Sequence, residues 1–248
     1  MILSKPFESF KIDSLSKRWA AVLLLLFAWG VSFWFLKAPP GDSDFSQVMY
    51  WYEDLMEAED YMAFYDAHPF EKAFTVDNML YLVSLAGYFS FMYLLGLFYF
   101  AMYSCDLREV PLSKAPEIYF TRIWWLVLYS ASVCVPALLL FGFLPVVFLF
   151  FIPSFYLRTG YVFFEKKDAY TATLISSINT RGHRLSIFVE LSGILLIYLL
   201  LHILIMFVLK EESTGLYLVE AFLRAYFTLV IFRNMGSRFH MVTLLDNE

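Results

Sequence analysis

Several stretches of this chain are too long and too apolar for a water-soluble protein. The clearest covers residues 187–208, where positions 195–201 read Leu-Leu-Ile-Tyr-Leu-Leu-Leu. A helix needs about 20 apolar residues to cross the ~30 Å hydrocarbon core of a bilayer, and this stretch supplies them. The whole chain is 60% hydrophobic, well above the roughly 45–50% that is usual in soluble domains. The sequence therefore predicts one all-α domain, a polytopic transmembrane helical bundle.

The apolar segments predict six membrane spans. Residues 123–157 are almost continuously apolar but contain Pro136, Gly142, Pro145 and Pro153. We therefore predict a hairpin that turns near residues 142–145, with a re-entrant segment as the alternative. The first apolar run follows a basic leader, yet it is longer than a signal-peptide core and lacks an A-x-A-like cleavage site, so we interpret it as a retained helix. The predicted spans are residues 19–37, 78–103, 122–142, 145–165, 187–209 and 215–233.

The basic residues predict how these spans are oriented. With a cytoplasmic N-terminus, fourteen Lys and Arg residues lie inside, three lie outside, and Arg224 lies within the last span. This asymmetry follows the positive-inside rule, and six spans then leave both termini in the cytoplasm. The inner residues are Lys5, Lys11, Lys17, Arg18, Arg108, Lys114, Arg122, Arg158, Lys166, Lys167, Arg181, Arg184, Arg233 and Arg238; the outer ones are Lys37, Lys72 and Lys210.

Residues 38–77 form a predicted outer loop that is rich in acids. Asp44 followed by Gln47 resembles a capping box, which predicts a helix start. Apolar residues then recur at roughly helical spacing, so we predict an amphipathic helix whose Trp and Tyr rings lie at the headgroup level. We interpret the acids as a result of excluding basic residues from the outer side; a cation-collecting or docking surface is the alternative. The acids are Asp42, Asp44, Glu53, Asp54, Glu57, Glu59, Asp60, Asp66, Glu71 and Asp77; the apolar residues are Val48, Trp51, Tyr52, Leu55, Met56 and Met62.

A second amphipathic helix is predicted on the inner side, between the fourth and fifth spans. Asp168 is suited to cap it, and Gly182 is suited to end it. Arg181, His183 and Arg184 follow directly, and we predict that they contact anionic lipid headgroups, each charge contributing on the order of 1 kcal/mol. The apolar stripe of this helix consists of Ala169, Ala172, Leu174, Ile175 and Ile178.

The same segment carries a family pattern. Asp168 and Ala169 are followed by Ser176 and Ser177, then by Gly182 and Arg184. This order of an acid, an alanine-containing helix ending in Ser and a glycine- or base-containing turn, within residues 158–209, resembles a group of bacterial six-span membrane proteins. The group includes a family of unknown function and the membrane domain that precedes some glycerophosphodiester phosphodiesterases. The resemblance implies this architecture and a bacterial plasma membrane, and it carries over no activity; the large acidic outer loop departs from the family.

Charged residues within the predicted spans mark a candidate site. Glu220 and Arg224 are four residues apart and therefore share one helix face. A charge near the membrane centre costs roughly 2.5–3.5 kcal/mol on insertion scales, so such residues usually face the bundle interior or a wet cavity. We predict either a neutralised pair that holds the last helix against its neighbours or a polar site for a headgroup, an ion or a proton.

The fifth span adds Glu190 and His202 to the candidates. They are twelve residues, or about 120°, apart on an ideal helix, so that helix alone does not bring them together. Glu190 lies near the inner end, where Arg158 or Arg184 can pair with it. We interpret His202 as a hydrogen-bonded core histidine rather than as a proton relay or a metal ligand. The candidate site residues are thus Glu220, Arg224, Glu190, His202 and Arg158.

The sequence favours a non-enzymatic protein without a cofactor. It contains no H-E-x-x-H, G-x-S-x-G or Walker A motif,. Residues 220–224 resemble part of the E-E-x-x-x-R motif of intramembrane CAAX proteases, but position 219 is Val and the histidines of that family are incomplete. Scattered histidines argue against a zinc site, and short basic groups argue against nucleic-acid binding. We predict an envelope or transport-associated component; the alternatives are a permease subunit with an ATPase partner and a small secondary transporter.

Overall fold

The structure of the protein is a computed structural model, which describes residues 8–130, 132, 155–209 and 213–245. The described residues are helical, joined by turns and short connections, and the predicted all-α class is confirmed for them. The α-helices are α1 (Arg18–Lys37), α2 (Ser46–Glu57), α3 (Tyr61–Ala67), α4 (Phe70–Ala73), α5 (Val76–Leu107), α6 (Ala115–Tyr129), α7 (Arg158–Phe163), α8 (Ala169–Asn179), α9 (Arg184–Val208) and α10 (Thr214–Leu245).

Within the described part of the chain, four helices are long and apolar enough to cross a membrane: α1, α5, α9 and α10. About half of each of the predicted third and fourth spans, residues 122–142 and 145–165, lies outside the described residues. The choice between a hairpin and a re-entrant segment lies there as well. The described flanks of that region are α6, which begins earlier than predicted with Pro116 in its first turn, and the short α7.

The central helix of the bundle is α10. It packs against α5, α1 and α9, and half of its apolar stretch is buried, compared with 6% for α9. It also continues past the predicted end at residue 233 to Leu245. The prediction differs because Arg233 and Arg238 were treated as cytoplasmic flanking charges, whereas both side chains are buried against polar partners. A charge whose hydrogen bonds are satisfied inside the bundle does not have to end the helix.

The segment before α1 is anchored to the bundle core. Tyr99 and Tyr226 donate their hydroxyl protons to the carbonyl oxygens of Ile12 and Phe10, each at 2.6 Å. Arg233 donates from Nε to the Glu8 carbonyl oxygen at 2.9 Å. The predicted basic leader is therefore part of the packed structure from residue 8 onwards, because donors of α5 and α10 satisfy its backbone,.

Two glycines let α10 approach its neighbours closely. A Cβ atom at Gly96 of α5 would overlap the ring of Phe232, and one at Gly160 of α7 would overlap the ring of Phe239. Each aromatic ring therefore lies directly over glycine backbone. Such contacts fix the position of α10 relative to α5 and α7, since a side chain at either glycine would force the helices apart.

The outer loop folds into three short helices rather than the one predicted amphipathic helix. Asp60 caps the start of α3 by accepting from the backbone N–H groups of Met62 and Ala63. A new helix therefore begins within the stretch of helical apolar spacing that predicted a single helix. The capping box lies at Thr75 and Asn78, where α5 begins, and not at Asp44 and Gln47. Asp44 instead accepts from the Ser46 backbone N–H at 2.8 Å, and these contacts with Ser46 lower the pKa of its carboxyl.

Trp51 of α2 belongs to an aromatic cluster within this loop. Its ring lies 5.1 Å from that of Phe70 and also contacts Phe64 and Tyr65. Its Nε1–H donates to the His68 carbonyl oxygen at 2.7 Å. Trp51 thus joins α2 to the segments that follow, and its indole N–H is satisfied within the protein. The position of the Trp and Tyr rings at the headgroup level stays a prediction.

The inner amphipathic helix is α8, and Asp168 caps it. The Thr171 hydroxyl and backbone N–H and the Tyr170 N–H donate to its carboxylate, and these hydrogen bonds lower the pKa of Asp168. The predicted apolar stripe is divided between two faces. Ala169 and Ala172 are buried, whereas Leu174 and Ile178 are exposed.

The end of α8 determines what its basic residues can contact. Arg184 donates to the carbonyl oxygen and the hydroxyl of Ser177, each at 3.1 Å. Arg184 thus hydrogen-bonds the end of α8, and the contact of Arg181, His183 and Arg184 with anionic lipid stays a prediction. Arg181 and His183 are exposed.

Candidate functional site

Glu220 lies at the centre of a polar cluster between α9 and α10. Its Oε1 accepts from Arg224 Nε at 2.9 Å and from the Tyr198 hydroxyl at 3.2 Å. Its Oε2 is 2.7 Å from His202 Nδ1. The Glu220 side chain is only 7% exposed, and both carboxylate oxygens have donors within the bundle.

Helical spacing explains how this cluster forms. Glu220 and Arg224 are four residues apart on α10, and Tyr198 and His202 are four residues apart on α9, so each pair lies on one face of its helix. A short connection joins the two helices, which makes them neighbours. The two pairs then face each other, and the tyrosine and histidine rings stack with their centroids 6.1 Å apart.

Arg224 also lines a cavity of about 340 Å³ between α5, α9 and α10. Glu220 accepts from its Nε, and the Tyr198 hydroxyl also interacts with the guanidinium. The Arg224 side chain is 30% exposed. The cavity is lined by Tyr88, Phe89, Met92, Leu195, Tyr198, Arg224, Phe227, Thr228 and Ile231.

The other polar groups of the cavity wall are bonded within the protein. The Tyr88 hydroxyl donates to Ser32 Oγ at 3.0 Å, and the Thr228 hydroxyl donates to the Arg224 carbonyl oxygen at 2.8 Å. The Tyr198 hydroxyl donates to Glu220. Arg224 is therefore the charged donor that the described wall presents to a bound molecule.

Glu190 belongs to a second buried cluster, nearer the predicted inner end of α9 and α10. Arg238 donates to both of its carboxylate oxygens, from Nε to Oε2 at 2.8 Å and from Nη2 to Oε1. Asn234 donates to Glu190 Oε2 at 3.2 Å and accepts from the Tyr156 hydroxyl at 2.6 Å. The partner of Glu190 is thus Arg238, instead of Arg158 or Arg184 as the sequence had suggested.

Arg158 joins neither cluster in the described structure. It is buried near α6, where its Nη2 donates to Ser130 Oγ at 3.0 Å. Its guanidinium also lies 5.0 Å from the ring centroid of Tyr129 and 5.3 Å from that of Phe155. The five candidates therefore divide: Glu220, Arg224 and His202 come together, while Glu190 and Arg158 lie elsewhere.

Sequence reasoning missed several residues of these clusters. Tyr198 could have been found, because its four-residue spacing from His202 places both on one helix face. Arg238 and Asn234 could have been found from the apolar residues that continue around them, including Met235, Phe239 and Val242. That pattern indicated a longer last helix.

Comparisons with known proteins identify no relative of this chain. No family model, no curated protein and no solved structure matches it. Among the described residues, no group of three or more His, Cys, Asp or Glu side chains converges in a way that could hold a metal ion. The chemistry of the site therefore has to be derived from its own geometry.

Proposed function

We propose that this chain is a non-enzymatic integral membrane protein, transport-associated or part of the envelope machinery, that binds a ligand in the cavity between α5, α9 and α10. One observation carries the proposal: the cationic side chain of Arg224 lines that cavity and is 30% exposed. A purely structural ion pair with Glu220 would need no adjoining cavity.

Energetics supports a binding role. Placing a guanidinium near the membrane centre costs several kcal/mol, and intramembrane charges commonly mark pathways for ions or substrates. Glu220 offsets part of this cost by accepting a hydrogen bond from Arg224 Nε. A bound molecule that accepts further hydrogen bonds from the guanidinium would offset more of it. The cavity also has the concave, mainly apolar wall with few polar groups that is typical of small-molecule sites.

Native mass spectrometry of protein extracted gently from its own membrane tests this proposal. The wild type should retain a small molecule of defined mass. Leu195 lines the cavity, so Leu195→Trp should reduce that occupancy by filling the space. Leu204 is nine residues further along α9, about 180° around the helix, and is also exposed; Leu204→Trp is the matched control. Absence of a defined adduct, or equal occupancy in all three proteins, would refute the proposal.

A second candidate function is the membrane subunit of an ATP-driven permease. The observation that favours it is an exposed apolar stripe on α8, formed by Tyr170, Leu174 and Ile178 at four-residue spacing. Such a stripe on the inner side suits a coupling helix that docks into an ATPase. A stable complex with an ATPase should then purify from the native host and dissociate in Leu174→Asp. Purification of wild type without any ATPase would count against this candidate, leaving a small secondary transporter as the other transport mechanism.

The proposed orientation has six spans, with both termini in the cytoplasm of a bacterial cell. It is supported by the distribution of basic residues and by the four long apolar helices,. Single cysteines in a Cys105→Ser/Cys134→Ser background test it. Met62→Cys should react with a membrane-impermeant thiol reagent in intact spheroplasts, whereas Tyr170→Cys should react only after permeabilisation. Both parent side chains are exposed, and labelling of Tyr170→Cys in intact spheroplasts would reverse the orientation.

A further inference from the structure

The electrostatics of the cavity wall indicate what the ligand carries. The carboxylate of Glu220 is turned away into the α9–α10 contact and does not line the cavity. Arg224, by contrast, lines it directly. Although the Glu220–Arg224 pair is neutral as a whole, a molecule in the cavity therefore meets the positive partner first. A guanidinium presents N–H donors in a fork that matches carboxylate, phosphate and similar oxyanions.

The remaining wall indicates the rest of the ligand. Apart from Arg224 and the three internally bonded hydroxyls, the lining side chains are aromatic or aliphatic: Phe89, Met92, Leu195, Phe227 and Ile231. An apolar chain can bury its surface against them, which is favourable in proportion to the area removed from water. The cavity volume of about 340 Å³ lies near the lower end of the ~300–1,000 Å³ of ligand pockets, which favours one chain over two.

The position of the cavity indicates how such a molecule reaches it. Phe89 and Leu195 line the cavity and are 58% and 54% exposed. Both lie near the middle of helices long enough to cross a membrane, so the opening is at the bundle surface that would face lipid. An apolar chain dissolved in the bilayer can enter there without crossing the polar ends of the helices.

We propose that the cavity binds a single-chain amphiphile with an anionic headgroup, the headgroup on Arg224 Nη1 and Nη2 and the chain along the wall of Phe89, Leu195 and Phe227. This inference rests on the proposed binding function and names its ligand class. A lipid-derived carboxylate and a single-chain phosphate share the required chemistry. The mass of the molecule retained from the native membrane distinguishes these two sources.

The test compares two probes of equal chain length, decanesulfonate and 1-decanol, on the full chain in an uncharged maltoside detergent. The sulfonate stays anionic at all working pH values, and the alcohol is its uncharged counterpart. The wild type should bind the sulfonate, and Arg224→Gln should weaken that binding by roughly tenfold or more, the loss expected for a charge-assisted hydrogen bond. Binding of 1-decanol should change by less than about twofold, since the apolar wall is intact.

A second variant covers the case in which Arg224→Gln fails to fold because it strands Glu220. Glu220→Gln/Arg224→Gln removes both charges and should lose sulfonate affinity to the same extent. Equal sulfonate affinity in wild type and in the folded variant would overturn the anionic assignment. If Leu195→Trp nevertheless abolishes decanol binding, the cavity site stands and only the ligand class is wrong. If neither probe binds the wild type, this ligand class is wrong, and the adduct experiment decides separately whether the cavity binds anything.

Discussion

Glu190 and Arg238 are 48 positions apart in the chain, and their side chains form a two-point ion pair inside the bundle. Both are largely buried, at 15% and 6% side-chain exposure. Asn234 and Ser186 complete the pair, the first by donating to Glu190 and the second by accepting from Arg238 Nη2 at 2.8 Å. The contact joins α9 to α10 well beyond the point at which the sequence placed the end of the last span.

Removing one partner of this pair should be strongly destabilising. Arg238→Ala leaves a buried carboxylate without its cation, so we expect a loss of about 3–5 kcal/mol in the free energy of unfolding. Glu190→Gln/Arg238→Gln should lose clearly less, because it buries no uncompensated charge. Unfolding in mixed detergent micelles measures both. Arg181→Ala, on an exposed arginine, is the control and should be nearly neutral; an equally small loss in Arg238→Ala would contradict the buried pair.

The Glu220–Arg224 pair should show the same asymmetry more weakly. Arg224→Ala strands the Glu220 carboxylate, which keeps Tyr198 and His202 as donors, so we expect about 1–3 kcal/mol of destabilisation. Glu220→Gln/Arg224→Gln should cost less than the single change. The same unfolding measurement applies, with Val219→Ala on the exposed side of α10 as the control. Equal losses in the single and double variants would remove the pairing argument.

Gly96 should not tolerate a side chain. Its hypothetical Cβ overlaps the Phe232 ring, so Gly96→Ala should destabilise the protein by about 1–3 kcal/mol through overpacking. Gly87 on the same helix has open space around its Cβ position, and Gly87→Ala should be neutral or stabilising by up to about 1 kcal/mol from helix propensity.

Phe232→Leu provides a check on the Gly96 prediction, since a smaller side chain should partly rescue Gly96→Ala. Thermal denaturation in detergent of the wild type, the two single variants and the double variant measures the coupling between positions 96 and 232. Additive effects of Gly96→Ala and Phe232→Leu would show that the ring over Gly96 is not the cause.

Local sequence signals predicted individual elements of this protein. Long apolar runs correctly indicated helices at α1, α5, α9 and α10, because the requirement to span hydrocarbon appears directly in composition. Asp168 was identified as the cap of α8 because capping depends on residues only two or three positions away. The Glu220–Arg224 contact was also predicted correctly, since a four-residue spacing places both side chains on one face of the helix,.

Contacts between helices could not be predicted from such local signals. The pairing of His202 with Glu220, and of Glu190 with Arg238, depends on how far α9 is rotated and shifted against α10. Glu190 pairs with Arg238 and with neither Arg158 nor Arg184, the two predicted alternatives, because proximity to the same membrane surface does not specify which side chains meet. The prediction of one amphipathic helix in the outer loop was wrong for a similar reason. Trp51 contacts aromatic residues in the two helices that follow α2, and helical spacing within one segment does not predict such contacts.

The sequence by itself thus determined that the chain is helical, that it has segments able to cross a membrane, and where several of those helices begin. Hydrophobic length and capping are local properties, and the chain carries them whatever its neighbours are. Only the tertiary structure decided which charges are satisfied inside the bundle and that Arg224 faces a cavity. Burial of a charge is favourable only when donors and acceptors from other helices converge on it, and that convergence exists only in the packed bundle.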